Sequence, residues 1–232
     1  MRAAMAMLKR RYRSELKTSL DFSGPWQLLA ATMLSAQSQD RQVNIVTKGL
    51  FKAYPRIDDF SRLRPAQLYN YIGSLGLYRG KAKHIIGAAK MLKKQFNSEV
   101  PDSMEELVKL PGVGRKTANV VLYNAFGKNE GIAIDTHCIT VANRLMLAKG
   151  RNPEKIEKAL MRITPKDEWG EVTHMFIALG RDVCTAKRKI CSKCVLNRMC
   201  PSSDAKTEGR YANRNGPAGS WPCSVCWDFY NR

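Results

Sequence analysis

Along most of this chain apolar residues recur at the three-and-four spacing of an amphipathic helix rather than at alternate positions. Pro25 opens one such segment, running through Leu28, Leu29, Thr32, Met33 and Ala36, with Asp21, Ser23 or Gly24 available as its cap. Residues 40–54 follow with Val43, Val46, Leu50 and Phe51 on one face, and Pro65 opens a short helix holding Leu68, Tyr71 and Ile72. Gly73, Gly76 and Gly80 loosen the chain before a stripe of His84, Ile85, Ala88 and Leu92 within residues 81–96. There His84 reads as a packing residue, not a ligand. Further on, residues 136–148, 153–163 and 169–183 read as helices, and residues 1–13 as a basic first helix. Only the short run 132–134 looks strand-like, so the expected class is all-α.

In the middle lies the most informative stretch, residues 110–137, LPGVGRKTANVVLYNAFGKNEGIAIDTH. Residues 103–110 have helical spacing through Met104, Leu107 and Val108. Pro111-Gly112-Val113-Gly114 then interrupts it, because proline stops a helix and glycine permits positive φ. Helical spacing resumes through Ala118, Val121, Leu122 and Ala125 and ends near Gly127. The predicted unit is helix, tight turn, helix. Its turn presents the unpaired amides of a helix start, which suit a phosphate. Lys116 sits in that first turn, where the helix dipole and neighbouring Arg115 both disfavour its charged form. It reads either as a solvated, phosphate-touching lysine or as an amine able to form a Schiff base. Asp135, after the apolar run 132–134, reads as a helix cap or a catalytic carboxylate.

Charge sharpens the choice of partner. The chain has 39 Lys and Arg against 20 Asp and Glu, a net charge of +19. The basic residues cluster: Lys9, Arg10, Arg11 and Arg13; Arg79, Lys81, Lys83, Lys90, Lys93 and Lys94; Arg115 and Lys116; Arg181, Lys187, Arg188, Lys189 and Lys193. Such clustering points to a polyanion, with nucleic acid the default. No run approaches the about 18 apolar residues of a membrane span. With no secretion signal, a cytoplasmic, nucleoid-associated location is expected. Residues 204–232, rich in Gly, Asn, Pro and Ser, read as a mobile tail.

Four of the seven cysteines, Cys184, Cys191, Cys194 and Cys200, fall in one run spaced C-x6-C-x2-C-x5-C. Without a secretory signal this pattern suggests metal, either zinc or an iron–sulfur cluster. Cys138, inside a helical segment, reads as a buried apolar residue. For Cys223 and Cys226, a further C-x2-C in the tail, a redox pair, half a metal site and no function all stay open.

LPGVGRKTANVV, then IAIDTH, then the four-cysteine run, in this order, resemble the endonuclease III family of DNA glycosylase/AP lyases. The resemblance extends over roughly residues 20–201. It implies an all-α, two-domain helix-hairpin-helix DNA glycosylase fold with DNA in the cleft between the domains. One domain is a six-helix barrel, here residues 18–127, with the hairpin at about 103–126. The other, residues 1–17 with 128–203, carries a [4Fe-4S] cluster on Cys184, Cys191, Cys194 and Cys200.

The resemblance further implies that Lys116 is the nucleophile and Asp135 the catalytic aspartate. Gln37 and Leu77 match residues that fill the gap left by an extruded base. Gly112, Gly114 and Arg115 at the hairpin, and Lys187, Arg188 and Lys189 in the cysteine loop, are the expected phosphate contacts. The expected partner is damaged double-stranded DNA, met by a monomer. The expected activity is excision of oxidised pyrimidines, then strand cleavage by β-elimination. Two alternatives are a monofunctional mismatch or adenine glycosylase, disfavoured by the presence of Lys116 and by Thr32 on the first barrel helix, and a non-catalytic DNA-binding protein. Against the family pattern, one extra residue lies between Lys116 and Asp135, in the turn 127–131.

Overall fold

The structure, a computed structural model, describes residues 1–205. The expected tail beyond Ala205, with Cys223 and Cys226, lies outside the described residues. The described chain is helical: α1 (Arg2–Arg11), α2 (Pro25–Ser35), α3 (Asp40–Ala53), α4 (Ile57–Arg62), α5 (Pro65–Ile72), α6 (Tyr78–Gln95), α7 (Met104–Leu107), α8 (Arg115–Phe126), α9 (Thr136–Arg144), α10 (Pro153–Ile163) and α11 (Trp169–Asp182). None of these helices is long and apolar enough to cross a membrane. Residues 132–134 are buried but form no strand; among the described residues the sheet-like pairing is an isolated bridge between Cys184 and Lys189.

Where element bounds depart from the periodicity, local chemistry explains it. Helix α4 was not expected, since six residues are too few to show a period. Ile57 and Phe60 anchor it in the core, and the Asp59 carboxylate accepts from the Arg56 N–H at 2.9 Å. Helix α7 is a single turn: Ser103 caps it by accepting from the Glu106 N–H, and the chain then tightens ahead of Pro111. Helix α6 begins three residues early because Leu77 takes a left-handed conformation (φ 57°) and ends the irregular turn there. Helix α9 stops at Arg144, as Met146 turns left-handed (φ 54°) and the Leu147 N–H closes on the Ala142 carbonyl.

Two apolar cores result. The first is built from α2, α3, α4, α5 and α6 with Ala118, Val121 and Leu122 of α8. At its centre Phe60 is fully buried, edge-on to Trp26 with ring centroids 5.1 Å apart. The second joins α1, through Met5 and Leu8, to α9, α10, α11 and the cysteine segment. Between them, a Cβ on Gly170 of α11 would collide with the Tyr123 ring of α8, and the Thr18 N–H donates to Asn124 Oδ1 at 2.9 Å. Asp40 of α3 pairs with Arg181 of α11 at 3.3 Å. Helix α8 thus contributes to the first core and touches the second.

Candidate active site

At the hairpin, Gly112 has φ 78°, and a Cβ there would lie 2.6 Å from the His84 Cβ. Both facts require glycine. His84 therefore packs against the turn, but it is exposed and stands outside the core stripe expected for it. Gly114 departs from expectation: at φ −97° it is extended rather than left-handed. It is the N-cap of α8, and with no side chain it leaves the first amides uncapped. Nothing lies within 4 Å of a Cβ built on it, so a ligand can come close.

Lys116 is exposed in the first turn of α8. Arg115 turns away from the hairpin surface: its Nε donates to Glu157 Oε2 at 2.7 Å, and that carboxylate holds the guanidinium above its ordinary pKa. Arg115 is thus paired with a carboxylate that the sequence did not reveal.

Asp135 is half-buried and caps α9, its Oδ1 accepting from the Cys138 N–H at 2.8 Å. The expected cap is real and leaves chemistry open, since Oδ2 is not used in that bond. Cys138 is fully buried, as expected. Burial pushes its thiol well up, the Asp135 carboxylate adds to that, and the Lys116 ammonium opposes it. The charges of both Asp135 and Lys116 bear on this one sulfur.

Gln37 and Leu77 also come together. Both are exposed, Leu77 by 64%, and both are non-glycine residues in the left-handed region, at φ 54° and 57°. Their loops are adjacent, with a Cβ on Gly76 only 3.7 Å from the Gln37 carbonyl oxygen. Two side-chain bonds tie the loops: Lys81 Nζ donates to Ser38 Oγ at 2.8 Å, and Gln42 Nε2 to Ser74 Oγ at 3.2 Å. Lys81 is only 6% exposed, and burial lowers its pKa. Beside these loops runs a cleft of about 860 Å³ whose lining includes Ser38, Asp40, Arg41, Lys48, His137 and Arg181.

Cys184, Cys191, Cys194 and Cys200 line one small cavity. Burial pushes the Cys194 and Cys200 thiols up, and the neighbouring sulfurs add to it. Four sulfurs around one space are the donor set that a zinc ion or an iron–sulfur cluster takes. From α9, Arg144 Nη1 donates to Cys184 Sγ at 3.1 Å and to the Thr185 carbonyl at 2.8 Å. Lys187 and Arg188 of the expected phosphate trio are exposed. Lys189 turns inward instead, its amine donating to the Ser202 carbonyl and pairing with Asp204 at 3.4 Å.

Sequence reasoning passed over Glu157 and Arg144, and it counted Lys81 and Arg181 only among the basic clusters, without their partners Ser38 and Asp40. A signal existed for the first: Glu157 lies on the stripe of Ile156, Ala159 and Leu160, where a carboxylate is out of place unless bonded.

A family model for the HhH-GPD superfamily of base excision DNA repair proteins matches residues 30–166. The endonuclease III of Synechocystis sp. is 44% identical over 187 residues, which is 81% of this chain and 85% of that protein. That of Escherichia coli is 40% identical over 183 residues, 79% and 86% of the two chains. Among solved structures, a trapped endonuclease III–DNA covalent intermediate has a TM-score of 0.82 at 40% identity, covering 87% of this chain and 94% of that one. A thermostable thymine-DNA glycosylase shares the fold, with a TM-score of 0.75 at 19% identity. By both the family model and these relatives, the chain belongs to the endonuclease III family of HhH-GPD base excision DNA repair proteins.

Proposed function

We propose that this protein is a bifunctional DNA glycosylase and AP lyase that removes oxidised pyrimidines from duplex DNA through a Schiff base on Lys116. The neutral amine attacks the anomeric carbon of the damaged nucleotide, the glycosidic bond breaks, and the base departs with a proton. Asp135 stabilises the positive charge that develops on the sugar and assists proton transfer. The sugar ring then opens, the C1′–O4′ bond breaking as the C=N bond forms and O4′ taking a proton. The resulting iminium acidifies C2′, and loss of that proton with the 3′ phosphate breaks the C–O bond on the 3′ side by β-elimination. Water then releases the lysine. The supporting observation is Lys116, exposed at the uncapped start of α8 behind a turn with room for a phosphate.

The lesion must leave the base stack before any of this, at a cost of about a few kcal/mol. Gln37 and Leu77, held outward on adjacent loops, would fill the vacated space. The uncapped amides beyond Gly112 and Gly114 would take phosphates, with Lys187 and Arg188 adding sequence-independent affinity. The working unit is a monomer on damaged duplex, with one domain over residues 18–127 and the other over 1–17 and 128–203. Cys184, Cys191, Cys194 and Cys200 would hold a [4Fe-4S] cluster. When bound, it would cross-link a segment with little regular structure by taking the four thiolates as ligands; it enters no step above.

Borohydride trapping on a duplex with an abasic site tests the reading. Wild type should form a covalent adduct, and Lys116→Arg, which keeps the charge but not the nucleophile, should form none while still binding the duplex. An adduct of normal yield in Lys116→Arg would sink the mechanism.

A further inference from the structure

Glu157 is 4% exposed, on the apolar face of α10, and lies in neither catalytic element. A buried carboxylate survives only where hydrogen bonds replace its water. Three donors from two separate segments meet it. Arg115 Nε reaches Oε2 at 2.7 Å, from the residue next to Lys116. Asn119 Nδ2, one turn further along α8, reaches Oε1 at 3.0 Å, and the Ile132 N–H reaches the same oxygen at 3.2 Å. Ile132 stands three residues before Asp135 on a run with no regular secondary structure. Space is tight there: a Cβ on Gly131 would collide with Glu157 Oε1, so glycine at 131 admits the carboxylate.

We propose that Glu157 is a positioning residue for catalysis, fixing the helix that carries Lys116 relative to the loop that carries Asp135. This rests on the roles given to those two residues above. The run 132–134 has no strand ladder: Ile132 and Ile134 pack in the second core and Thr173 Oγ1 donates to the Ala133 carbonyl at 3.1 Å, and Glu157 adds the bond that ties this run to α8. Without the shared carboxylate, the α8 side loses its bonds to Glu157 from Arg115 and Asn119, and the loop side loses the bond at Ile132. Displacement of a reacting pair by about 1 Å can slow chemistry by up to ~100-fold without touching binding.

The experiment uses full-length, cluster-loaded protein and two readouts. One is the single-turnover rate of borohydride-trapped adduct at saturating enzyme on an abasic-site duplex. The other is affinity for a duplex carrying an uncleavable abasic analogue. Glu157→Gln keeps the shape but has one acceptor oxygen, so it cannot accept from Arg115 and from Asn119 and Ile132 together, and should trap about tenfold or more slowly at unchanged affinity. A purely structural role would lower thermal stability and the active fraction, not the rate per active molecule. A folded Glu157→Gln with the wild-type trapping rate overturns the proposal. Should that variant not fold, Asn119→Ala removes one donor only, and slower trapping at unchanged affinity supports the proposal while the wild-type rate overturns it. Failure of wild type itself to trap would overturn the lyase mechanism instead, so the two failures are distinct.

Discussion

Two glycine-rich turns, residues 73–77 and 111–114, each deliver the chain into a helix with a lysine near its start: Lys81 in α6 and Lys116 in α8. Their local sequences echo one another, Gly-Leu-Tyr-Arg-Gly-Lys against Gly-Val-Gly-Arg-Lys. Their surroundings are opposite. Lys81 is walled in, donates to Ser38 Oγ and has its pKa lowered by burial. Lys116 is exposed at the uncapped end of α8. The buried amine gives up its proton more readily than an ordinary lysine, yet no sugar carbon can reach it. A weakened ammonium is thus not enough to mark a nucleophile; it also needs access, which Lys116 has and Lys81 lacks. The turns differ in their glycines too. Gly112 is required by both φ and His84, whereas a Cβ on Gly76 would make only an ordinary contact, 3.7 Å from the Gln37 carbonyl oxygen.

The largest effect expected from this contrast is at Gly112. Gly112→Ala places a Cβ in the left-handed region, at about 1–2 kcal/mol, and drives it into the His84 ring, which must move. A loss of about 2–3 kcal/mol in denaturant unfolding is expected, with weaker duplex binding. A variant as stable as wild type would show that the turn relaxes freely.

These differences were only partly legible in the sequence. Helices α2, α3, α5 and α10 were readable because a proline or an acidic residue opens each and a clean apolar period follows. The hairpin lysine and the cysteine run were readable because order and spacing along the chain carry them. What stayed hidden depends on contacts distant in sequence: Glu157 reaches Arg115 across 42 positions, and Lys81 reaches Ser38 across 43. Local pattern shows that a charged residue sits on an apolar stripe; it does not show which partner makes that tolerable.

A smaller effect is expected at Lys81, with a sign set by its environment. Its folded pKa lies below the ~10.4 of an unfolded lysine. At neutral pH both states hold the proton, and the fold carries the whole penalty of burying it. As pH rises through the lowered value toward ~10.4, the folded protein sheds its proton first and the penalty is relieved. Lys81→Met removes the charge at similar length, so it should be about 1 kcal/mol more stable than wild type at neutral pH. That advantage should shrink as pH approaches ~10. Chemical denaturation of both proteins across this range checks it, and an advantage that grows with pH would contradict the burial argument.

The smallest effect discriminates most sharply between the turns. Gly80 lies inside α6, outside the left-handed region and facing open space. Alanine is the better helix former there, and Gly80→Ala should add about 0.5–1 kcal/mol. If the glycine serves only local flexibility, duplex affinity will not change. If instead a phosphate approaches the backbone at residue 80 as closely as Gly114 allows at the hairpin, the added methyl will stand in its path. The variant would then be more stable and bind damaged duplex less tightly. Stability and affinity moving in opposite directions would make the start of α6, just after the 73–77 turn, a second backbone-to-phosphate contact; stability rising alone would confine that use of glycine to the hairpin.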